Sequence, residues 1–403
     1  MTNSAASHLL PVFARVDLGF ERGEGCWLTA TNGERYLDFT SGVAVNALGH
    51  CHPHLVAALQ EQATKLWHMS NLFKSPDGDK LAARLCEQSF ADFVFFANSG
   101  AEAMECAIKV TRRYHFGKGH GERYRIITFD SAFHGRTLGT LAATGSQKYL
   151  EGFGPPLDGF DQVTLGDLDA VKKAIGPHTA GILIEPLQGE GGVRAAPHAF
   201  FRALRQLCDD NGLLLVFDEV QTGMGRTGDL FAYRRLGVTP DVMSLAKALG
   251  GGFPIGACLA TAEAASGMTP GSHGSTFGGN PLAVAAANAV LDVMLKPGFF
   301  DHVQQMSLLL KQKLASVVDR HPAVLAEVRG EGLLIGLKAV VPSGDLVTAL
   351  REEKLLTVGA GENVVRFLPP LIVSEAEIEE SVAKLERACV ALAGAKLKRA
   401  AGQ

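Results

Sequence analysis

The chain has 403 residues, 47% of them hydrophobic and 20% charged, with a formal net charge of −4 and a pI near 6.4. That is an ordinary globular composition, and the length allows a large core in two lobes or domains. It lacks the concentrated basic character that nucleic acid or an anionic membrane selects.

The first twenty residues have no basic start followed by a long apolar run, so no signal peptide is expected there. No uncharged apolar stretch reaches about 18 residues, so no membrane span is expected. The seven cysteines are scattered without a CxxC pair and are expected to be reduced thiols of a cytoplasmic protein. The stretch "GHCHPH" (49–54) crowds three histidines and a cysteine together. Without a second ligand cluster it is expected to be a turn before a helix over 55–66, and no metal is expected.

From residue 92 onward, apolar runs alternate with helical patterns. "DFVFFAN" (92–98) precedes the helical pattern 101–116, and "RIITFD" (125–130) follows. "AGILIEP" (180–186) precedes a helix over 199–212, and then come "LLLVFDE" (213–219), "VMSLA" (242–246) and "IGACLAT" (255–261). Buried runs separated by helices predict an α/β core with a largely parallel sheet. After 278–295 the pattern changes to a long amphipathic segment (302–320), two strands around a glycine turn (324–338) and a last helix (374–394). These read as a smaller α+β lobe. The tail "AKLKRAAGQ" is expected to fray. The expected division is 1–55, joining the small lobe, then 56–299 and 300–403.

The apolar run 213–217 ends on two acids, Asp218 and Glu219, before the chain breaks into glycines. A solvated strand end and the edge of a pocket both fit, because ligands of open α/β sheets sit beyond the carboxyl ends of strands. Lys247 also follows an apolar run and precedes glycines. An isolated lysine there is ordinarily a surface charge. Together with an acid at a second strand end it suggests a pyridoxal phosphate site, with the amine for the aldehyde and the acid for the pyridine nitrogen. "FFANSGAEA" (95–103) supplies a strand, a small turn and a helix start suited to a phosphate, and Ser99 with Glu102 reads equally as a capping box. "FHGRT" (133–137) offers Phe133 to cover a ring and Arg136 to hold a carboxylate, although a core ring and a surface arginine serve as well.

"NSGAEA", "FHGRT", "EPLQGEGGV", "FDEVQTGMGRTG", "AKALGGGFP" and "STFGGNPLA" stand in the order and approximate spacing of the class III aminotransferases. The chain resembles that family over about residues 10–395. "SGVAVNALGHCHP" (41–53) and "HGSTFGGNP" (273–281) are similar to its members that act on N2-acetylornithine. The resemblance implies fold type I of the pyridoxal 5'-phosphate enzymes (aspartate aminotransferase-like), a large domain with a mostly parallel sheet plus a smaller α+β domain. It also implies roles. Lys247 joins the cofactor aldehyde and then moves the proton, and Asp218 holds the pyridine nitrogen. Gln221 touches the ring hydroxyl, Phe133 stacks on the ring, and Ser99, Gly100 and Ala101 form the phosphate turn. The family's threonine in that turn is Ala101 here, so only backbone contact carries over there. Arg136 binds a substrate carboxylate. Ser275 and Thr276 belong to a loop contributed by the partner subunit of a homodimer, with Thr276 on the phosphate. Glu190 and Arg366 form a pair that opens or closes between the two substrates. Gly42 stands where ornithine aminotransferases carry an aromatic, which leaves room for an acylated substrate.

The implied reaction is reversible ping-pong transamination. N2-acetylornithine and 2-oxoglutarate give N-acetylglutamate 5-semialdehyde and glutamate, in arginine biosynthesis. Succinylornithine transamination is the nearest alternative, followed by ornithine or 4-aminobutyrate. A regulator with the same fold would need an added basic DNA-binding segment.

Overall fold

The structure, a computed structural model, describes residues 8–401, with side chains as far as residue 394. Three short strands come first: β1 (Phe20–Glu24), β2 (Trp27–Ala30) and β3 (Arg35–Asp38). The central strands are β4 (Phe93–Ala97), β5 (Arg125–Phe129), β6 (Phe160–Val163), β7 (Thr179–Ile184), β8 (Leu214–Asp218), β9 (Val242–Leu245) and β10 (Gly256–Ala260). The last strands are β11 (Leu325–Glu331), β12 (Leu334–Ala339), β13 (Leu355–Leu356), β14 (Val358–Ala360) and β15 (Val364–Phe367).

The central sheet runs in the order β4-β10-β9-β8-β7-β5-β6. β7, β8, β9 and β10 are buried at every position, which is why they read as unbroken apolar runs. Pairing is parallel from β9 through β6, while β10 lies antiparallel to both β9 and β4. The reversal has a simple cause. Only residues 246–255 separate β9 from β10, and a parallel crossover needs a dozen residues or more.

The parallel pairing puts the carboxyl ends of β4, β5, β7, β8 and β9 on one edge of the sheet. Asp218 closes β8, and Glu185, Lys247, the turn 98–101 and the segment 133–136 follow the ends of the others. Asp218 stands opposite Ser244 in the β8–β9 register, so Lys247 lies three residues beyond the level of Asp218 on the neighbouring strand. Sequence separations of up to about 150 residues thus collapse onto a single edge.

Two four-stranded sheets flank this core, β1-β2-β3-β13 and β11-β12-β15-β14. β11 and β12 pair as the expected hairpin, turning at Gly332, which has φ +56°. Leu368 N–H donates to Phe39 O at 2.7 Å and Leu371 N–H to Ala47 O at 2.7 Å, so β15 and its exit are tied to the N-terminal segment. This fixes Arg366 near the sheet edge. The helix Glu375–Ala401 continues through the tail that was expected to fray, and residues 402–403 lie outside the described residues. Among the described residues no single helix is long and apolar enough to cross a membrane.

Candidate active site

A cavity of about 490 Å³ opens at the carboxyl edge of the central sheet. Asp218, Gln221, Lys247, Ser99, Gly100, Ala101, Phe133, Arg136, Glu190 and Arg366 all line it. Ser275 and Thr276 do not; they line a separate cleft with Asn98, Glu102 and His273. Ser275 Oγ accepts from Gly278 N–H at 2.9 Å and from the Asn98 amide at 3.3 Å. Gly42 does not line the cavity either, whereas its neighbours Val43 and Val45 do. Gly42 has φ +63°, but Ser41 (φ +47°), Val43 (φ +65°) and Ala44 (φ +64°) adopt the same left-handed conformation with side chains, so conformation alone does not demand a glycine there.

The two acids at the end of β8 take different partners. Asp218 is buried; its Oδ1 accepts from Val220 N–H at 3.0 Å, and its Oδ2 lies 2.8 Å from His134 Nδ1. Burial alone would disfavour the imidazolium of His134, but the bond and charge of Asp218 outweigh it and raise His134 above its usual range. Glu219 turns away and caps the short helix Ala232–Leu236. Its carboxylate accepts from Ala232 N–H at 2.7 Å and Tyr233 N–H at 2.8 Å. Burial pushes Glu219 up to about 8, against those two bonds.

Lys247 starts a 3₁₀ turn with φ +47°, a left-handed conformation that costs a residue with a side chain roughly 1–3 kcal/mol. Among the described residues its amine has no hydrogen-bond or ion-pair partner. Burial, and then the Arg366 charge, lower it to about 8.

The helix Gly100–Gly117 begins at the cavity wall. Ser99 Oγ accepts from Glu102 N–H at 3.2 Å. The return bond expected of a capping box is displaced by one residue: Glu102 accepts from Asn98 N–H at 2.8 Å, not from Ser99. A Cβ on Gly100 would stand 2.7 Å from Val220 Cγ1, so a side chain there would close the cradle.

At the outer end, Arg366 is buried and paired with Glu190, and it donates to Gly359 O at 3.0 Å and Gln221 Oε1 at 3.5 Å. Arg136 is solvent-exposed and has no carboxylate partner among the described residues. Its Cζ lies 3.8 Å from the centre of the Tyr149 ring and 5.3 Å from that of Phe133. Glu185, at the end of β7, accepts from Phe133 N–H at 3.0 Å, and burial pushes it up to about 7.

His134, Glu185 and Tyr149 escaped the sequence reading. Their partners lie far along the chain or across a loop, and no local pattern marks them. In "GHCHPH" the histidines diverge: His50 meets Asp38 at 2.8 Å, His54 meets Asp292 at 3.1 Å, and His52 precedes the helix Pro53–Ala63. Among the described residues no three ligand side chains converge as for a metal.

A partnerless buried amine, a carboxylate at the end of the next strand, a helix start whose first residue is a glycine and a guanidinium at each flank suit a small anionic substrate and a phosphorylated aldehyde cofactor. The chain matches the family described as Aminotransferase class-III over residues 13–389, and it belongs to that family. It is 83% identical to acetylornithine aminotransferase 1 of Bradyrhizobium diazoefficiens, covering 100% of this chain and 99% of that one. Among solved structures it resembles N-acetylornithine aminotransferase of Stenotrophomonas maltophilia (38% identity, TM-score 0.83, covering 95% of this chain and 98% of that one). It also resembles the ornithine aminotransferase of Toxoplasma gondii (30% identity, TM-score 0.91, 95% and 92% covered), whose structure carries PLP at partial occupancy in its active site. Class III aminotransferases use pyridoxal phosphate, and the residues lining this cavity fit it: Lys247 for the aldehyde, Asp218 for the ring nitrogen and the 99–101 turn for the phosphate.

Proposed function

We propose that this chain reversibly transfers the terminal amino group of N2-acetylornithine to 2-oxoglutarate, giving N-acetylglutamate 5-semialdehyde and glutamate, in arginine biosynthesis. The observation that carries the reading is the pairing of Arg366 with Glu190 beside an Arg136 free of acids. Relatives named for acetylornithine, one of them 83% identical over the whole length, support it.

Pyridoxal phosphate, when bound, supplies an aldehyde for the amino group and a cationic ring that draws electrons from the reacting carbon. Asp218 would keep that ring cationic, and its 2.8 Å contact with His134 Nδ1 fixes which way the carboxylate faces. With the cofactor bound, Phe133 would cover the ring, Gln221 would reach its hydroxyl, and Ser99, Gly100 and Ala101 would present N–H groups to the phosphate. Lys247 carries the proton at the reacting carbon. Its lowered basicity leaves a large neutral fraction near pH 8, which a base requires.

Both substrates offer a carboxylate to Arg136. Glutamate reacts through its α-amino group and so brings a second carboxylate close to the reacting centre, where Arg366 receives it. Acetylornithine has none there. Glu190 then stays on Arg366, sparing the chain an unpaired buried cation, which costs about 3–5 kcal/mol.

We place this activity in a cytoplasmic homodimer, with each chain divided at 55/56 and 299/300, in which each chain lends its partner's site a loop with Ser275 on the substrate side and Thr276 on the phosphate. The placement of Thr276 outside its own chain's cavity supports that assignment. Mixing Lys247→Ala and Thr276→Ala proteins is then expected to restore activity in hybrid dimers, and an active monomer would refute the dimer. The substrate reading is tested by parallel kinetics on acetyl-, succinyl- and free ornithine. The highest kcat/KM is expected for acetylornithine; a clear preference for either of the others would replace the reading.

A further inference from the structure

Arg136 is held in an unusual way for a group that must receive a carboxylate. It is exposed, and among the described residues it has neither an acid nor a hydrogen-bond acceptor. A free arginine side chain samples many rotamers, and ordering it on binding costs entropy. What fixes it is the face of Tyr149, 3.8 Å from Cζ, on the four-residue helix Gln147–Leu150. That ring is itself braced, edge-on to Phe133 at 6.3 Å. It lies within electrostatic reach of Arg366 and forms part of the wall of a second cavity, of about 450 Å³, that adjoins the first at Glu190.

We propose that Tyr149 is a positioning residue for substrate recognition: its ring face holds the Arg136 guanidinium in a fixed plane while leaving the in-plane N–H donors free for a carboxylate. An acid in the same place would order the arginine equally well but would occupy those donors and compete with the substrate. A stacked aromatic orders the cation without using its hydrogen bonds. Tyr149 thereby gives the site a preformed grip on any substrate whose carboxylate must meet Arg136.

The inference rests on the proposed reading of Arg136 and is tested on the holoenzyme. Two amines with the same terminal reacting group are compared, N2-acetylornithine and N-acetyl-1,4-diaminobutane, which lacks the carboxylate. Tyr149→Leu is expected to raise KM for acetylornithine about threefold to thirtyfold, the span of a cation–π contact from exposed to desolvated. The single-turnover rate at saturation and KM for the diaminobutane should stay unchanged. Tyr149→Phe keeps the ring face and should behave as wild type. In an Arg136→Leu background the effect of Tyr149→Leu should vanish. Should the leucine variant fail to bind cofactor, Tyr149→Met carries the same expectation. An equal rise for both amines, a loss in Tyr149→Phe matching that in Tyr149→Leu, or no rise at all overturns the proposal. If wild type failed to turn over acetylornithine, the substrate reading itself would fall, and KM for glutamate, which also uses Arg136, would then decide the role of Tyr149.

Discussion

Two arginines flank the cavity, and they are held by opposite means. Arg366 is buried, paired with Glu190 and bonded to Gly359 O. Arg136 is exposed and rests on the faces of Tyr149 and Phe133. A buried cation must be neutralised, so its partner has to leave before a ligand can bind. A cation on an aromatic face is ordered with its donors still free. On the function proposed above, the difference teaches how a single site would offer one permanent and one conditional carboxylate receptor.

The largest expected effect falls on the group between them. Lys247→Ala should abolish both half-reactions whichever arginine holds the substrate, with a loss of at least roughly 10²–10⁴-fold in rate, the range for positioned proton transfer. The protein should also lose its yellow absorption. Borohydride reduction and peptide mapping should find the label on Lys247 in wild type; label on another lysine would break the assignment.

Next in size is the comparison of the arginines themselves. Arg136→Lys should weaken both half-reactions by about 1.5–3 kcal/mol, since lysine cannot make two parallel bonds to a carboxylate. Arg366→Lys should weaken the glutamate half alone. Near-normal kcat/KM in Arg136→Lys, or identical profiles for the two variants, would erase the distinction.

The smallest effect is a pH shift. Burial and the Arg366 charge lower Lys247 to about 8, while Asp218, Glu185 and Glu190 act to raise it. The neutral form of Lys247 is the one that would take the cofactor aldehyde, so cofactor attachment to the apoprotein should speed up as pH rises through about 8 and then level off. Removing the charge of Glu190 in Glu190→Gln takes away one of the raising groups, and the midpoint should fall. Arg136→Lys, which conserves charge, should leave it in place. Mixing apoprotein with cofactor across pH and following visible absorption measures both.

Much of this site was legible because its chemistry lies at strand ends. Asp218 and Lys247 each close an apolar run, and parallel pairing carries such ends to one edge. The residue pattern alone left Asp218 and Glu219 equivalent at the strand end, and only the family likeness singled out Asp218, which lines the cavity. Which of the two lines it depends on the N–H groups of Ala232 and Tyr233, displaced thirteen and fourteen residues along the chain, and on His134, 84 residues before Asp218. Glu190 and Arg366 were paired by family likeness alone; they stand 176 residues apart, and their contact depends on how β15 is tied to the N-terminal segment. The strands β1–β3 went unread because they are short and mix polar with apolar residues: β1 is almost wholly exposed, β2 is partly buried and β3 is buried at three of its four positions, so neither alternation nor an apolar run marks them. Tyr149 was hidden for another reason: a ring stacked on an arginine thirteen residues earlier, across a turn, has no fixed spacing to find.

The conditional receptor is tested most directly by Glu190→Ala in stopped-flow single turnovers, with each half-reaction followed separately through the cofactor absorption. With Glu190 gone, Arg366 has no acid to release, so the glutamate half-reaction should be spared or improved. The acetylornithine half-reaction should weaken, and its preference for the terminal amine over an α-amine should relax. Equal slowing of both halves, or no change in either, would contradict the account.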